Sequence, residues 1–525
     1  MRMKAYIFCN GEVIGESGRH RQAVLVCDDQ ISHIGTLAEC KQASQSIPEL
    51  IDLKNKVLLP AFTDTHTHFV EYAKRKILID LSTCTSITEV CTAFENYRRA
   101  NPILPAWILG SGWDINTISD AEQIHKELLD RFFPEHPVCL QSKDYHCKWL
   151  NSKALQIAGI DLKTPQPMGG VIARDKHDKL NGLLYESAAE LIDRYIVPPD
   201  KSLLLGSIRA TVCEAQRMGL AGIHSMEGAY SWSLLGELFS DGVPFRFVWH
   251  FPLDDLDMMI AQRVKSYTGD ESYKVGGVKV FADGALGSQT AWMYQPYSNG
   301  SNSFGISRYS DNELWEIAQK AVGHDISLTI HAIGDRCVHQ ILSLFDKCQS
   351  LGQSPYLMHR IEHVQSIRPQ DYQLLRKSNA YCALQPVHLA NDIDMINSYW
   401  QGVNAYPTKD IVFHSAAYGF GSDVPIETIN PFLGIYTALT RSAKAKDSNK
   451  SYRLEQRISL AEALHGYTLG AAKGSKSESQ RGSIAVGKLA DLIVLDTVNE
   501  ADPDYWLDAK ARLCMVNGKV AFSEL

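Results

Sequence analysis

Two histidines spaced i, i+2 close an apolar run, Leu58-Leu59-Pro60-Ala61-Phe62-Thr63-Asp64-Thr65-His66-Thr67-His68. In an extended backbone, residues two apart point to the same side. Both imidazoles can therefore face one point just past the end of a buried strand. Imidazole nitrogen is the commonest side-chain metal ligand and suits zinc, iron and nickel. Alone, the pattern equally fits two unrelated surface histidines in a turn. Other polar residues end apolar runs further on: Lys279 within Gly277-Val278-Lys279-Val280-Phe281-Ala282-Asp283, His331 after Leu328-Thr329-Ile330, His363 after Arg360-Ile361-Glu362, and Asp423 after Gly421-Ser422. Each has a bland alternative: a snorkelling lysine, a satisfied core histidine, an aspartate that caps a helix. Together they make six such positions on five different strands, which argues against coincidence.

Those residues need strands that end at a common face. After the strand that ends at His66, seven more candidates follow, at residues 221–224, 245–250, 277–283, 327–331, 359–363, 383–386 and 418–423. Amphipathic helical stretches, such as 312–322 and 336–348, separate most of them. Alternating strands and helices indicate a parallel α/β architecture, and eight such units predict a (β/α)8 barrel. Polar residues at the C-terminal ends of barrel strands read as catalytic. The alternative, an open doubly wound sheet, usually carries a glycine-rich nucleotide fingerprint after its first strand, and none is present.

The remainder of the 525 residues exceeds one simple core. Residues 1–57 read as short strands with turns: Lys4 to Cys9, a hairpin signal at Asn10-Gly11, then Ala23 to Cys27, with a short helix near Leu37 to Ser44. The far end matches, with two strands around a glycine turn between Gly482 and Asp496 and a hairpin at Val516-Asn517-Gly518-Lys519. A discontinuous β-sandwich of residues 1–57 and 478–525 is expected, beside a barrel of 58–83 and 206–477. Residues 84–205 are too many for one crossover helix. They carry their own strand signals at 137–141 and 169–175 and helices at 87–99 and 124–132. An insertion after a barrel strand belongs on the catalytic face, so a lid role is expected.

Composition excludes several function classes. A net charge of −8 gives no footprint for nucleic acid. No run of about 18 apolar residues suggests a membrane span, and the first residues lack the apolar core of a signal peptide. The 12 cysteines are scattered without a Cys-x-x-Cys pair, so no zinc ribbon or thioredoxin-type site is indicated. A cytoplasmic location is expected.

The sequence resembles the amidohydrolase superfamily, in its YtcJ-like, N-substituted formamide deformylase-like branch, over nearly its whole length. The likeness rests on Leu-Leu-Pro-Ala-Phe-Thr-Asp-Thr-His-Thr-His from Leu58, Val-Lys-Val-Phe-Ala-Asp-Gly-Ala-Leu-Gly-Ser from Val278, and Ile-His-Ala-Ile-Gly-Asp from Ile330. Arg-Ile-Glu-His from Arg360, Gly-Ser-Asp-Val-Pro from Gly421 and the Gly-Lys-x-Ala-Asp-Leu-Ile-Val segment from Gly487 complete it. The resemblance implies a distorted TIM barrel with a divalent metal centre, zinc being the expected metal. His66, His68 and Asp423 would hold one ion and His331 and His363 a second, bridged by a carboxylated Lys279. A one-metal site is the alternative, although deaminases of that type lack the Lys279 position. Asp423 would also be the catalytic base. Relatives tend to have Asp-Gly-His-Ser where this chain has Asp144-Tyr145-His146-Cys147. His146 is retained as a candidate substrate contact, with Trp113, Glu186 and His224. The implied reaction is hydrolysis of a non-peptide C–N bond in a small molecule, an amide, formamide or cyclic amide. A hydrolytic deaminase and a non-catalytic metal-binding member are the alternatives. The resemblance leaves the oligomer open, with a homodimer as one arrangement.

Overall fold

The computed structural model describes residues 4–525 except 16–17, 116, 144–146, 299, 301, 353–355, 443–449 and 500. The chain divides into two units, Met1–Phe69 with Val212–Leu525, and Val70–Thr211.

The first unit contains a parallel barrel. Its strands are β1 (Phe62–Thr67), β2 (Leu220–Met226), β3 (Arg246–Pro252), β4 (Tyr273–Phe281), β5 (Leu328–Ala332), β6 (Arg360–His363), β7 (Tyr381–Leu384) and β8 (Ala417–Phe420). Each pairs in parallel with its neighbour in sequence order. Most of their residues are buried on both faces, which is why the strands read as apolar runs rather than as alternating patterns. The ring closes through the chain just past β8. Thr67 bridges to Val424, the His68 N–H donates to the Val424 carbonyl (2.7 Å), and the Asp423 N–H donates to the His66 carbonyl (2.7 Å). Glycine is required at this seam, because a Cβ on Gly421 would lie 2.5 Å from the His66 nitrogen.

The helices that follow β4 and β5 match their sequence signals. Helix α1 (Asp311–Val322) opens on a Ser310/Glu313 capping box and buries Leu314, Ala318 and Ala321. Helix α2 (Asp335–Cys348) buries Val338, Ile341, Leu342 and Phe345 at helical spacing.

Both termini of the chain build a two-sheet layer in the same unit. One sheet orders Gln30–Gly35, Ala23–Cys27, Ala5–Cys9 and Glu49–Asp52. The other joins Lys519–Ser523, Ala511–Val516, Leu492–Leu495, Val57–Pro60, Glu12–Gly15 and Gly18–His20. Tyr6, Phe8, Val24, Leu58, Leu492 and Leu513 share the core between them. Two local expectations fail. Asn10-Gly11 is not a hairpin, since it carries the chain from one sheet to the other. A side chain at Gly11 would strike Leu53 and the Lys56 carbonyl, so the glycine serves a sheet corner. Between Gly482 and Asp496 only Leu492–Leu495 is a strand. The preceding segment is held by its Ile484 side chain in the core, by a bridge from Leu489 to Gln30, and by backbone hydrogen bonds from the Ile31 N–H to the Lys488 carbonyl and from the Gly487 N–H to the Ile31 carbonyl (both 2.8 Å). The Val516–Lys519 hairpin forms as expected.

The second unit has its own sheet, ordered Gly170–Arg174, Leu180–Glu186, Cys147–Leu150, Val138–Ser142, Ile108–Trp113 and Ile79–Asp80. Two hydrophobic clusters fill it, one around Phe94, Trp113, Phe133 and Trp149, the other around Leu150, Leu155, Leu184 and Ile192.

The closing Gly-Lys-x-Ala-Asp motif has a structural task. Asp491 accepts two hydrogen bonds from the buried Arg246 guanidinium at the start of β3, at 2.5 and 2.8 Å. It therefore ties the terminal sheet to the barrel. Asp491→Ala would take the buried carboxylate from Arg246 Nε and Nη2. The guanidinium would keep only its contacts with Glu271, whose carboxylate lies at 3.5 Å, and with Asn517 at 3.3 Å, at a cost of about 3 kcal/mol. Denaturant unfolding of the variant checks this, and a loss comparable to a surface substitution would contradict it.

Candidate metal centre

Alternation along β6 sends Arg360 and Glu362 to one side, into the barrel. Both are fully buried. The guanidinium binds its neighbour through Nε to Oε1 (2.9 Å) and Nη2 to Oε2 (3.3 Å), and donates to the Thr65 carbonyl on β1 (2.8 Å). Its remaining nitrogen, Nη1, meets His224 Nδ1 (2.6 Å) and His250 Nε2 (3.3 Å). Arginine can only donate, so both histidine nitrogens must be acceptors. His250 then carries its proton on Nδ1 and gives it to Thr329 Oγ1 (2.8 Å).

This network sets the histidines of the candidate centre above it. His66 Nδ1 lies 2.5 Å from Glu362 Oε2, which places the proton there and leaves the Nε2 lone pair facing Lys279 Nζ at 3.2 Å. His363 Nδ1 donates to Gln385 Oε1 (2.8 Å), which frees its Nε2. His331 Nε2 donates to the Gly284 carbonyl (3.0 Å), and its buried Nδ1 has no partner among the described residues. Each ring thus has one nitrogen fixed by the protein and one lone pair left over, the arrangement metal-ligating histidines adopt. Asp423 Oδ1 lies 3.4 Å from His66 Nε2 and 3.5 Å from His68 Nε2. Ligand atoms of His66, His363 and Asp423 all fall within 4.8 Å of one another. The His331 ring packs against His363 at 4.5 Å between centroids.

The backbone is bent to achieve this. In a regular strand, Glu362 and His363 would point to opposite faces. His363 instead has φ of +75° and Val364 of +45°, and Asp423 has φ of +59°. Left-handed conformations in non-glycine residues cost about 1–3 kcal/mol each and gather at functional sites.

Electrostatically, the centre is arranged for a dication. Burial, then the Lys279 charge, holds His66 well below the usual imidazole range. Burial does the same to His363, helped by the neighbouring rings, and takes His331 to about 3. All three therefore present neutral lone pairs. Burial also pushes Asp423 up to about 7 and draws Lys279 down to about 8. Neutral histidines, a carboxylate short of a counter-charge and an amine that yields its proton easily form a donor set that a divalent cation would satisfy.

The residues expected from sequence fall into three groups. His66, His68, Lys279, His331, His363 and Asp423 gather at the barrel centre, as described. His224 lies inside the barrel against Arg360, with no exposed surface. Trp113 and Glu186 belong to the second unit. Trp113 is buried, stacks edge-on with Trp149 and gives its indole N–H to the Leu140 carbonyl (2.9 Å). Glu186 ends the strand Leu180–Glu186 with φ of +51°. His146, with Tyr145, lies outside the described residues.

Residues that sequence reasoning left without roles matter as much. They are Arg360 and Glu362 below His66, Gln385 behind His363, and Asp64 and Asp283. Asp64 accepts from the backbone N–H of His66 (3.0 Å) and of Ser422 (3.1 Å), locking the β1–β8 seam. Asp283 collects the N–H groups of Trp292, Ile333 and Gly334 and lies 3.5 Å from His331 Nε2. The i, i+2 parity of Arg360 and Glu362 within Arg-Ile-Glu-His was the signal available for the first two.

Residues 49–522 match the amidohydrolase family model. The chain is 29% identical to the putative amidohydrolase YtcJ of Bacillus subtilis, over 97% of each chain. It is 26% identical to N-substituted formamide deformylase of Arthrobacter pascens, over 94% of each. Its fold is similar to that of an uncharacterised metal-dependent hydrolase from Pyrococcus furiosus, with a TM-score of 0.78, 23% identity, and 95% and 100% of the two chains covered.

Cation binding here must displace protons. Burial pushes Asp423 up to about 7, so a proton on this carboxyl near neutrality must leave before it can ligate as a carboxylate. Lys279, near 8, must also lose its proton before it can ligate. Affinity should therefore rise with pH through the neutral range, with net release of protons on binding. Calorimetry in buffers of different ionisation enthalpy reads this directly. Pure binding heat with no buffer dependence would contradict it.

Proposed function

The chain belongs to the amidohydrolase family, and from that premise we propose that it hydrolyses a non-peptide C–N bond, in an amide, formamide or cyclic amide, with two zinc ions bridged by a carboxylated Lys279. Lys279 is the observation that carries this reading. It is buried, its Nζ lies 3.2 Å from a histidine lone pair, and burial eases its deprotonation. An ammonium has no lone pair and would repel a cation. A neutral amine can add carbon dioxide and present two carbamate oxygens in its place. His66, His68 and Asp423 would hold one ion, and His331 and His363 the other. The likeness to a formamide deformylase supports N-formyl and N-acyl compounds as the substrate class.

Bound divalent cations supply Lewis acidity, which acidifies water and polarises a carbonyl oxygen. The protein's own residues do the rest. Asp423 Oδ1 lies beside His66 and His68 and Oδ2 lies 3.8 Å from His388 Nε2, and Oδ2 would accept a proton from the attacking water. The same carboxyl then gives that proton to the departing nitrogen, since an amide nitrogen leaves as an amine. The Glu362 hydrogen bond holds the His66 ring in one tautomer throughout. Residues 84–205 are proposed to contribute substrate contacts, His146 and Glu186 among them.

Two variants and a substrate screen test this. Metal-loaded protein should turn over members of a panel of N-formyl, N-acyl and cyclic amides. Ammonia release from amidines instead would move the activity to deamination, and no turnover with full metal would favour a binding role. Asp423→Asn keeps the shape but loses the base, so kcat should fall at least about a hundredfold, with metal largely retained. Near-normal turnover in that variant would remove Asp423 as the proton carrier. His146→Asn should raise KM without altering metal content. A loss of metal in that variant would contradict a role in substrate contact.

A further inference from the structure

The turn that follows β7, Gln385-Pro386-Val387, leads straight into a helix, His388–Tyr399. Gln385 orients the His363 ring. The residue that opens the helix is a further histidine at the candidate centre, and no ligand role falls to it. His388 is buried, and its ring lies nearly parallel to that of His363, with 6.1 Å between centroids and 20° between planes. Its backbone N–H donates to the Gln385 carbonyl (3.1 Å), so one turn fixes both rings.

The two nitrogens of the His388 ring have different surroundings. Nδ1 lies 3.2 Å from the side-chain nitrogen of Gln365, which is itself buried. An amide nitrogen only donates, so Nδ1 accepts, and the ring is neutral with its proton on Nε2. Nε2 is buried and has no hydrogen-bond partner among the described residues. Asp423 Oδ2 faces it from 3.8 Å, beyond hydrogen-bonding range. The Ser422 carbonyl stands close enough to favour a protonated ring, but outside hydrogen-bond geometry to Nε2. A buried donor without an acceptor costs about 1–3 kcal/mol. His388 is thus the inverse of His66, His331 and His363. Those rings have a proton tied to the protein and a lone pair left over, whereas His388 has its lone pair tied and a proton left over.

That proton sits beside the oxygen that takes part in the hydrolysis proposed above, a reading on which this inference rests. When water adds to the carbonyl carbon, its proton passes to Asp423 Oδ2, and the electron pair of the C=O double bond moves onto the carbonyl oxygen. Both oxygens are then on one tetrahedral carbon, closer together than Asp423 Oδ2 and His388 Nε2 are. Two side-by-side hydrogen bonds of about 2.8 Å can join the four atoms. The oxygen from water faces Oδ2, and the other faces Nε2.

We propose that His388 donates its Nε2–H to the substrate's carbonyl oxygen and holds it as it becomes an oxyanion. A donor fixed in advance and aimed where negative charge develops lowers the barrier without reorganisation. The same donor selects the substrate class. An amide offers an oxygen acceptor there, whereas an amidinium offers only N–H groups and would set donor against donor.

Zinc-loaded, full-length protein tests this in two ways, one of which needs no turnover. Methylphosphonate, a tetrahedral anion, is titrated calorimetrically. His388→Leu should weaken its binding at least about tenfold. His388→Gln, whose amide nitrogen reaches about as far as Nε2, should stay within about threefold of the unaltered protein. With an N-formyl substrate, kcat should fall about 100- to 1,000-fold in His388→Leu and recover at least about tenfold of that in His388→Gln, with zinc content unchanged in both. Nitrogen-15 NMR of histidine-labelled protein should show His388 as a neutral ring protonated on Nε2, and serves if His388→Leu fails to fold. A proton on Nδ1, loss of zinc from either variant, or equal phosphonate affinity in His388→Leu and the unaltered protein would overturn the proposal. If the unaltered protein turned over no amide but the phosphonate difference held, the hydrolysis reading would fail and the donor would stand.

Discussion

One buried carboxylate determines how the barrel centre is built. Glu362 takes the Arg360 guanidinium on one side and the His66 imidazole on the other. Without the guanidinium, a fully buried carboxylate next to neutral rings would be costly. Without Glu362, His66 would lose the contact that sets its tautomer. The pair also joins opposite parts of the barrel, since Arg360 on β6 donates to the Thr65 carbonyl on β1. The interior is therefore a polar core in which the Arg360 guanidinium and the Glu362 carboxylate are fully engaged. His224 Nε2 lacks a partner among the described residues, and lone pairs of His66, His331 and His363 are left over.

The second constraint is closure. Eight parallel strands bring their C-terminal ends together only if β1 and β8 meet, and they do so through Thr67, His68, Asp423 and Val424. The same backbone contacts that close the ring place His66, His68 and Asp423 side by side. Asp64 adds to this by accepting from both sides of the seam. The geometry of the candidate centre and the integrity of the barrel thus rest on the same few hydrogen bonds. Positive φ at His363 and Asp423 turns two side chains toward the centre that regular strand geometry would turn away.

Much of this was legible in the sequence. Strand-end polar residues after apolar runs gave the barrel and its six central side chains, because burial on both faces writes strands as continuous hydrophobic segments. Amphipathic spacing gave α1 and α2. What was not legible depends on long-range pairing. Asn10-Gly11 carries a hairpin signal, yet the presence of Leu53 and Lys56 makes it a corner between sheets. Arg360 and Glu362 looked like motif letters, because their partners lie on strands hundreds of residues away. His224 was read as a pocket residue, and only the placement of Arg360 shows that its Nδ1 is already engaged. Trp113 looked equally available, but a core built by Trp149 and Leu140 surrounds it.

The proposed two-metal hydrolysis requires Lys279 as a carbamate, since an ammonium has no lone pair and would repel the ions. The most direct measurement is carbon-13 NMR of protein loaded with zinc in labelled bicarbonate, with metal content determined on the same sample. One carbamate resonance per chain is expected, with two metal ions per chain, and both the resonance and the bridged pair should be lost in Lys279→Arg. Fully metallated protein with no carbamate signal, or a signal that persists in Lys279→Arg, would contradict it.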